Sequence, residues 1–245
     1  TTVKKLQRKF NVQVDLLPPK IPYRETITKR VQNIEGKHKK QTGGHGQFGV
    51  CYIHLEPYKD ETGNFAYEFS NQIVGGAIPK NWIPSVEKGL KAAMDRGIIA
   101  GFPVVGVKVI LYDGKFHDVD SSDMSFQLAG SKAWKAGAPM AGPVILEPIM
   151  EMQITCPEEN MGDIMGDISG RRGRVLGSES KGKKIVIKAT APMAEVLRYA
   201  GDLKSITGGR GSFTMRYSHY ETVPPNLMDR VIAEAGKPRG GEEDE

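Results

Sequence analysis

The apolar residues of this chain recur in two rhythms, a period of two and a period near 3.6, which together predict a mixed fold of strands and helices. The runs 50–55, 65–69 and 103–112 are rich in β-branched and aromatic residues and predict strands. A helix over 84–96 carries Val86, Leu90 and Ala93 on one face. A second helix, over 121–135, opens on Ser121, Ser122 and Asp123, with Asp120 and Ser121 the expected caps. Its Met124, Phe126, Leu128 and Ala129 are assigned to the core.

The stretch that follows has a cleaner rhythm. A strand over 144–155 leads to a helix over 157–170 with Met161, Ile164, Met165 and Ile168 inward. A hairpin of 173–180 and 183–190, a helix over 192–206 and a strand over 211–220 complete the order β-α-β-β-α-β. That order is the split βαβ pattern of ferredoxin-like folds. Pro224 and Pro225 start a short helix to Ala235, and the Gly- and Glu-rich tail after it is expected to be disordered. At the other end, Val3, Leu6 and Phe10 have helical spacing, and Val12 and Val14 alternate as a short strand. One helix and one strand bury no core alone, so residues 1–22 read as the end of a preceding domain.

Length and charge sharpen the picture. The 245 residues suffice for about two domains, and a hydrophobic content of 39% with 26% charged residues is that of a water-soluble globular chain. The formal charge is +5; removing the four carboxylates of Glu242, Glu243, Asp244 and Glu245 leaves +9, a balance that favours an anionic partner. Cys51 and Cys156 lack metal or redox spacing and read as reduced packing thiols, as in a cytoplasmic protein. No apolar run reaches membrane-spanning length.

The segment 37–49, KHKKQTGGHGQFG, gathers the candidate chemistry. Lys37, Lys39 and Lys40 feed a loop whose Gly43, Gly44, Gly46 and Gly49 permit close backbone approach, with His45, Gln47 and Phe48 between them. Gly44, Gly46 and Gly49 match G-x-G-x-x-G, a dinucleotide fingerprint only where a strand precedes and a helix follows. Here a polar, basic segment precedes and a strand follows, so the match fails. Val50 and Cys51 stand where a phosphate-binding loop needs Lys and Ser or Thr. Kinase motifs are absent downstream.

A second stretch, 116–123, reads FHDVDSSD. As a calcium loop counted from Asp118 it fails, with Asp123 where glycine is needed and Ala129 where glutamate is needed. His117 with Asp118 or Asp120 forms a candidate acid–base pair, but no nucleophile motif accompanies it. His117 is expected to point outward at a loop tip. A third feature is Arg171, Arg172 and Arg174 with Lys181, Lys183 and Lys184, six cations against Glu179 alone. Residues 29–45 hold five cations against Glu35. Two such patches, with few aromatics beside them, fit phosphate-dominated contact with folded RNA.

Several segments then resemble one family. Tyr23-Arg24-Glu25-Thr26-Ile27, Lys40 through Gly49, Phe69 through Pro79 and Tyr112 through Ser122 resemble domain IV of bacterial elongation factor G or its paralogues. Glu147-Pro148-Ile149-Met150, Gly162 through Asp167 and Arg171-Arg172-Gly173 resemble domain V, and the first 25 residues resemble the end of domain III. His45, where Arg is frequent, and Cys51-Tyr52-Ile53-His54 look more like the paralogues. The resemblance implies an α+β protein of two domains. One is an elongated α/β module of the ribosomal protein S5 domain 2-like type over 23–146, and the other a ferredoxin-like βαββαβ domain over 147–222. Residues 223–245 follow as helix and acidic tail.

It further implies tip loops at the small-subunit decoding region, using Gly43, Gly44, His45, Gly46, Gln47, His117, Asp118, Asp120 and Ser121. Gln47 and His117 fall near the codon–anticodon helix of tRNA and mRNA. Lys37, Lys39, Lys40, Arg171, Arg172 and Arg174 would face ribosomal RNA, the last three on the large subunit. No metal or cofactor is implied in this chain, since GTP and magnesium belong to the G domain of the parent factor. The chain alone would be a non-enzymatic, ribosome-binding, monomeric portion of a cytoplasmic translational GTPase that promotes translocation. Three other readings stay open: a paralogue acting at another ribosomal step, a standalone RNA-binding module, and a small-molecule enzyme using His117 with Asp118 or Asp120.

Overall fold

The computed structural model describes residues 9–10, 20–41 and 46–236. The expected remnant at 1–22 and the tail at 237–245 therefore lie largely or wholly outside the described residues. Two sheets organise the rest. The first has four strands in the order β2-β3-β5-β4: β2 Val31–Lys40, β3 Gln47–Pro57, β4 Tyr67–Asn71 and β5 Val107–Lys115. Helices α1, Ile83–Met94, and α2, Asp123–Gly137, cover one face of it. Cys51, Ile53 and Leu55 alternate inward on β3, Val107, Val109 and Leu111 on β5, and all meet Val86, Leu90, Phe126 and Trp134 from the helices. Fully burying each large apolar side chain there contributes about 1.5–3 kcal/mol.

The second sheet is built on β6, Pro143–Pro157, whose neighbours are β1 Arg24–Ile27, β8 Lys184–Pro192 and β9 Ser212–Thr222; β7, Arg174–Lys181, pairs with β8. Helices α3, Met161–Gly170, and α5, Tyr199–Ile206, bury Ile164, Ile168, Tyr199 and Leu203 against it. Strands β9, β6, β8 and β7 lie side by side in that order, so the expected split βαβ unit is present. The expected helix over 192–206 is broken into α4, Met193–Val196, and α5. At the break the Glu195 carbonyl accepts a hydrogen bond from Arg171 Nη1 at 2.9 Å.

Three expectations need correction. Strand β2 occupies the segment read as merely polar and basic, so a strand does precede the glycine loop; the dinucleotide match fails because β3, not a helix, follows. Met124 is exposed at 56% and Leu128 only half-buried, while Phe126 and Ala129 are fully buried as expected. The cap of α2 is Ser122, whose side chain accepts from the Ser125 amide, not Asp120 or Ser121.

The two modules share strands. β1 belongs by sequence to the first module, yet it pairs with residues 143–146 of β6. The division expected at 146/147 falls inside β6. The seam is filled by Ala100, Ile145, Val223 and Val231, with Tyr23, Phe102 and Leu227 packed against them. Helix α6, Pro225–Ala235, supplies Leu227 and Val231. The buried Glu25 carboxylate accepts four backbone N–H groups, from Ile98, Ile99, Ala100 and Phe102, at 2.5–3.0 Å. Those donors offset the cost of a buried charge and hold the 98–102 loop onto β1.

Candidate nucleic-acid interface

The β2–β3 hairpin ends in the glycine loop, and the β5–α2 connection runs beside it. Within the hairpin, Lys40 is paired with Gln47 and Lys39 with Phe48. Alternation along β2 sends Ile34, Gly36 and His38 inward and leaves Glu35, Lys37 and Lys39 outward. Lys37, Lys39 and Lys40 are all exposed, and none has a carboxylate within 4 Å among the described residues.

The two loops are sewn together. The Gly46 amide donates to Asp120 Oδ1 at 2.9 Å, and the Phe48 amide donates to the Asp120 carbonyl at 2.8 Å. Ser121 Oγ donates to the Phe48 carbonyl at 2.8 Å and accepts from the His117 amide at 2.9 Å. Residues read as helix caps thus tie one loop to the other. His117 is 57% exposed, as expected of a tip, and its Nδ1 accepts from the Val119 and Asp120 amides at 3.3 Å. An accepting Nδ1 puts the proton of the neutral ring on Nε2. Asp118 is exposed beside it. Gly43, Gly44 and His45 lie outside the described residues.

Gln47 and His117 line one shallow cleft of about 220 Å³ together with Lys39, Lys40, Gln41, Phe48 and Asp120. The sequence does not reveal what stands behind Gln47. The His38 Nε2 lies 2.7 Å from Gln47 Oε1, and Lys132 Nζ, from α2, lies 3.3 Å from His38 Nδ1. His38 is 8% exposed. A buried histidine on an otherwise basic strand is the signal that reading for surface charge passed over.

The second basic patch divides. Arg171 bridges Asp167 and Asp202, each at 2.9 Å. Arg172 makes a forked pair with the buried Glu147, at 2.6 and 2.9 Å, and reaches Glu195 at 3.1 Å. The carboxylates beside both guanidiniums hold them above the usual arginine range. Their charge is met inside the protein. Arg174 is 77% exposed and 4.0 Å from Glu221, and Lys181, Lys183 and Lys184 extend the exposed charge to the β7–β8 turn.

Among the described residues no group of three or more His, Cys, Asp or Glu side chains gathers for a metal, and no helix is long and apolar enough to cross a membrane. Fold and site define a two-module α+β protein whose first module ends in a basic two-loop tip and whose second is a split βαβ unit. Family models described as elongation factor G, domain IV, and elongation factor G C-terminus match residues 19–142 and 144–231. The chain belongs to the elongation factor G family. An elongation factor G-like protein of Thermotoga maritima is 55% identical over 95% of the chain, and an elongation factor G of Aquifex pyrophilus 49% identical over 96%. A crystal structure of a Thermus thermophilus protein superposes with a TM-score of 0.87 at 45% identity, covering 96% of this chain and 34% of that one. The chain spans about a third of the length of the curated relatives it matches.

Proposed function

We propose that this chain is the ribosome-contacting C-terminal portion of a translational GTPase, and that its two-loop tip enters the small-subunit decoding region to promote movement of tRNA and mRNA. One observation carries this reading. Two loops, 74 residues apart at the Gly46–Asp120 contact, are bonded into one exposed tip, with Gln47 and His117 on the same cleft and exposed lysines beside it. The chemistry is positioning. Short polar contacts from Gln47 and His117 stabilise the moved codon–anticodon pair, and Lys37, Lys39 and Lys40 attract phosphate. Arg174 and the lysines of the β7–β8 turn face large-subunit RNA in the same reading. Arg171 and Arg172 shape that surface rather than touch it. GTP and magnesium belong to the G domain of the parent factor, a cytoplasmic monomer.

The test is His117→Ala in the full-length factor. Single-turnover translocation should slow by about tenfold, the worth of roughly one charge-neutral hydrogen-bond contact with its desolvation penalty, while GTP hydrolysis stays nearly intact. Unchanged translocation would remove His117 from the tip's function. A second reading has support in the 55% identity to a relative named elongation factor G-like: the parent acts at another ribosomal step. Failure of the full-length protein to replace elongation factor G in poly-phenylalanine synthesis, with ribosome binding intact, would favour it.

A further inference from the structure

We infer that His38, held by Lys132, is a positioning residue that fixes the side-chain amide of Gln47 in one orientation, so that the tip cleft offers hydrogen-bond donors and takes the acceptor oxygens and nitrogens of RNA. The inference rests on the tip reading above and adds the polarity of the site.

An ammonium group has only protons to give, so Lys132 Nζ donates and His38 Nδ1 accepts, at 3.3 Å. The proton of the neutral ring then sits on Nε2, which donates to Gln47 Oε1 at 2.7 Å. Turning the Gln47 amide over would set its NH2 against an N–H. Lys132 therefore fixes the amide through the ring, and the Oε1 of Gln47 is occupied from behind. Its NH2 is left for the cleft. The second tip residue has the same polarity, since His117 Nδ1 accepts from two backbone amides and Nε2–H is the nitrogen remaining to donate. Lys39 and Lys40 on the same cleft also only donate.

Among the described residues, Asp120 is the one carboxylate lining that cleft. Its Oδ1 is taken by the Gly46 amide, and its Oδ2, 3.5 Å from the proton-free His117 Nδ1, is the one carboxylate oxygen left among these donors. The fitting partners are phosphate oxygens, ribose hydroxyl oxygens and base carbonyl or ring-nitrogen acceptors. His38 lies 8% exposed beneath this surface, so it acts through Gln47 and not on the RNA itself.

Two measurements decide it. In the full-length factor, Gln47→Ala and His38→Phe should each slow single-turnover translocation by a similar factor, about tenfold, and the double variant should be no slower than either. His38→Gln offers an amide N–H to Gln47 and an oxygen to Lys132, and should recover most of the rate. In the 245-residue chain, 15N spectra should show His38 protonated at Nε2, and a Gln47 side-chain amide whose order is lost in His38→Phe but kept in His38→Gln. Multiplying rate effects, a His38 ring protonated at Nδ1, or a Gln47 amide indifferent to His38→Phe would each overturn the proposal. If Gln47→Ala left translocation unchanged while the amide still lost order in His38→Phe, the tip reading would fall and the positioning by His38 would stand.

Discussion

Cys51 sits fully buried on the helix-facing side of β3, and burial pushes its thiol up to about 12. Cys156 is likewise buried and raised for the same reason. Because the thiolate is the reactive form, neither should react with a disulfide reagent at pH 8 until the chain unfolds, when both should. Thiol titration with and without urea reads this directly. The sign for stability follows. A thiol raised in the folded state stabilises fully below its ordinary value of 9.0, and that part is lost as pH rises towards 12. Urea midpoints should therefore fall between pH 9 and 12. At this scale the sequence was legible where chemistry is local: packing thiols, an outward His117, exposed lysines. It was silent where a side chain's role depends on a partner far along the chain. Asp120 and Ser121 look like caps because helix starts favour such residues, and only the neighbouring hairpin reveals what they bind. Arg171 and Arg172 look like free charge because Asp202, Glu147 and Glu195 come from other elements, although Asp167 stands only four residues before Arg171.

Strand β2 shows the same limit for an element. Its inward positions are Ile34, Gly36 and His38, so period-two alternation is present but only one of the three is a strand-forming apolar residue. Gly36 is there because α2 crosses directly above: a Cβ would strike the Ala129 carbonyl and the Ala133 side chain. Sheet-forming propensity gives way to close packing. The crossing of α1 and α2 is as tight. Gly89 faces the backbone of Gln127, and an added Cβ would overlap the carbonyl oxygen. Gly89→Ala should therefore destabilise by about 2 kcal/mol despite alanine's better helix propensity, an overpacking cost of about 3 kcal/mol outweighing a gain of about 1 kcal/mol. Denaturant unfolding measures the difference. No change or a gain would mean that the helices can separate without loss. Helix α2 was legible as an element but its face only in part: the buried Phe126, Ala129 and Ala133 follow the helical period, whereas Met124 and Leu128, assigned to the core with them, lie off that face.

For the whole molecule, the two modules and the ferredoxin-like order were legible from element sequence alone, whereas the seam was not. Nothing in the local pattern of Glu25 or Glu147 says that one is held by four amides and the other by an arginine. Arg172, at φ +58, is in the left-handed region that side chains rarely adopt, and its forked pair with Glu147 helps hold it there. Arg172→Ala leaves Glu147 buried without its cation. It should cost about 2 kcal/mol, below the roughly 3–5 kcal/mol of a fully buried pair because the Arg172 side chain is 29% exposed. The loss should appear in the unfolding of the second module and as faster proteolysis at the seam.

The pairing of β1 with β6 also has a consequence in time. Ile27 meets Pro143 and Arg24 meets Leu146, partners separated by about 120 residues of chain. A polypeptide emerging at about 5–20 residues per second makes β1 wait roughly 6–24 s for its partner strand. Through that interval β1 has no partner strand in its sheet, and the Glu25 carboxylate has no amides until residues 98–102 are made. The first module's own strands are made by residue 115 and its covering helices by residue 137, just before β6 begins. The shared sheet is completed only when β9 has been made, about 200 residues after β1, and its first strand is a late-paired edge throughout the synthesis of everything between it and β6.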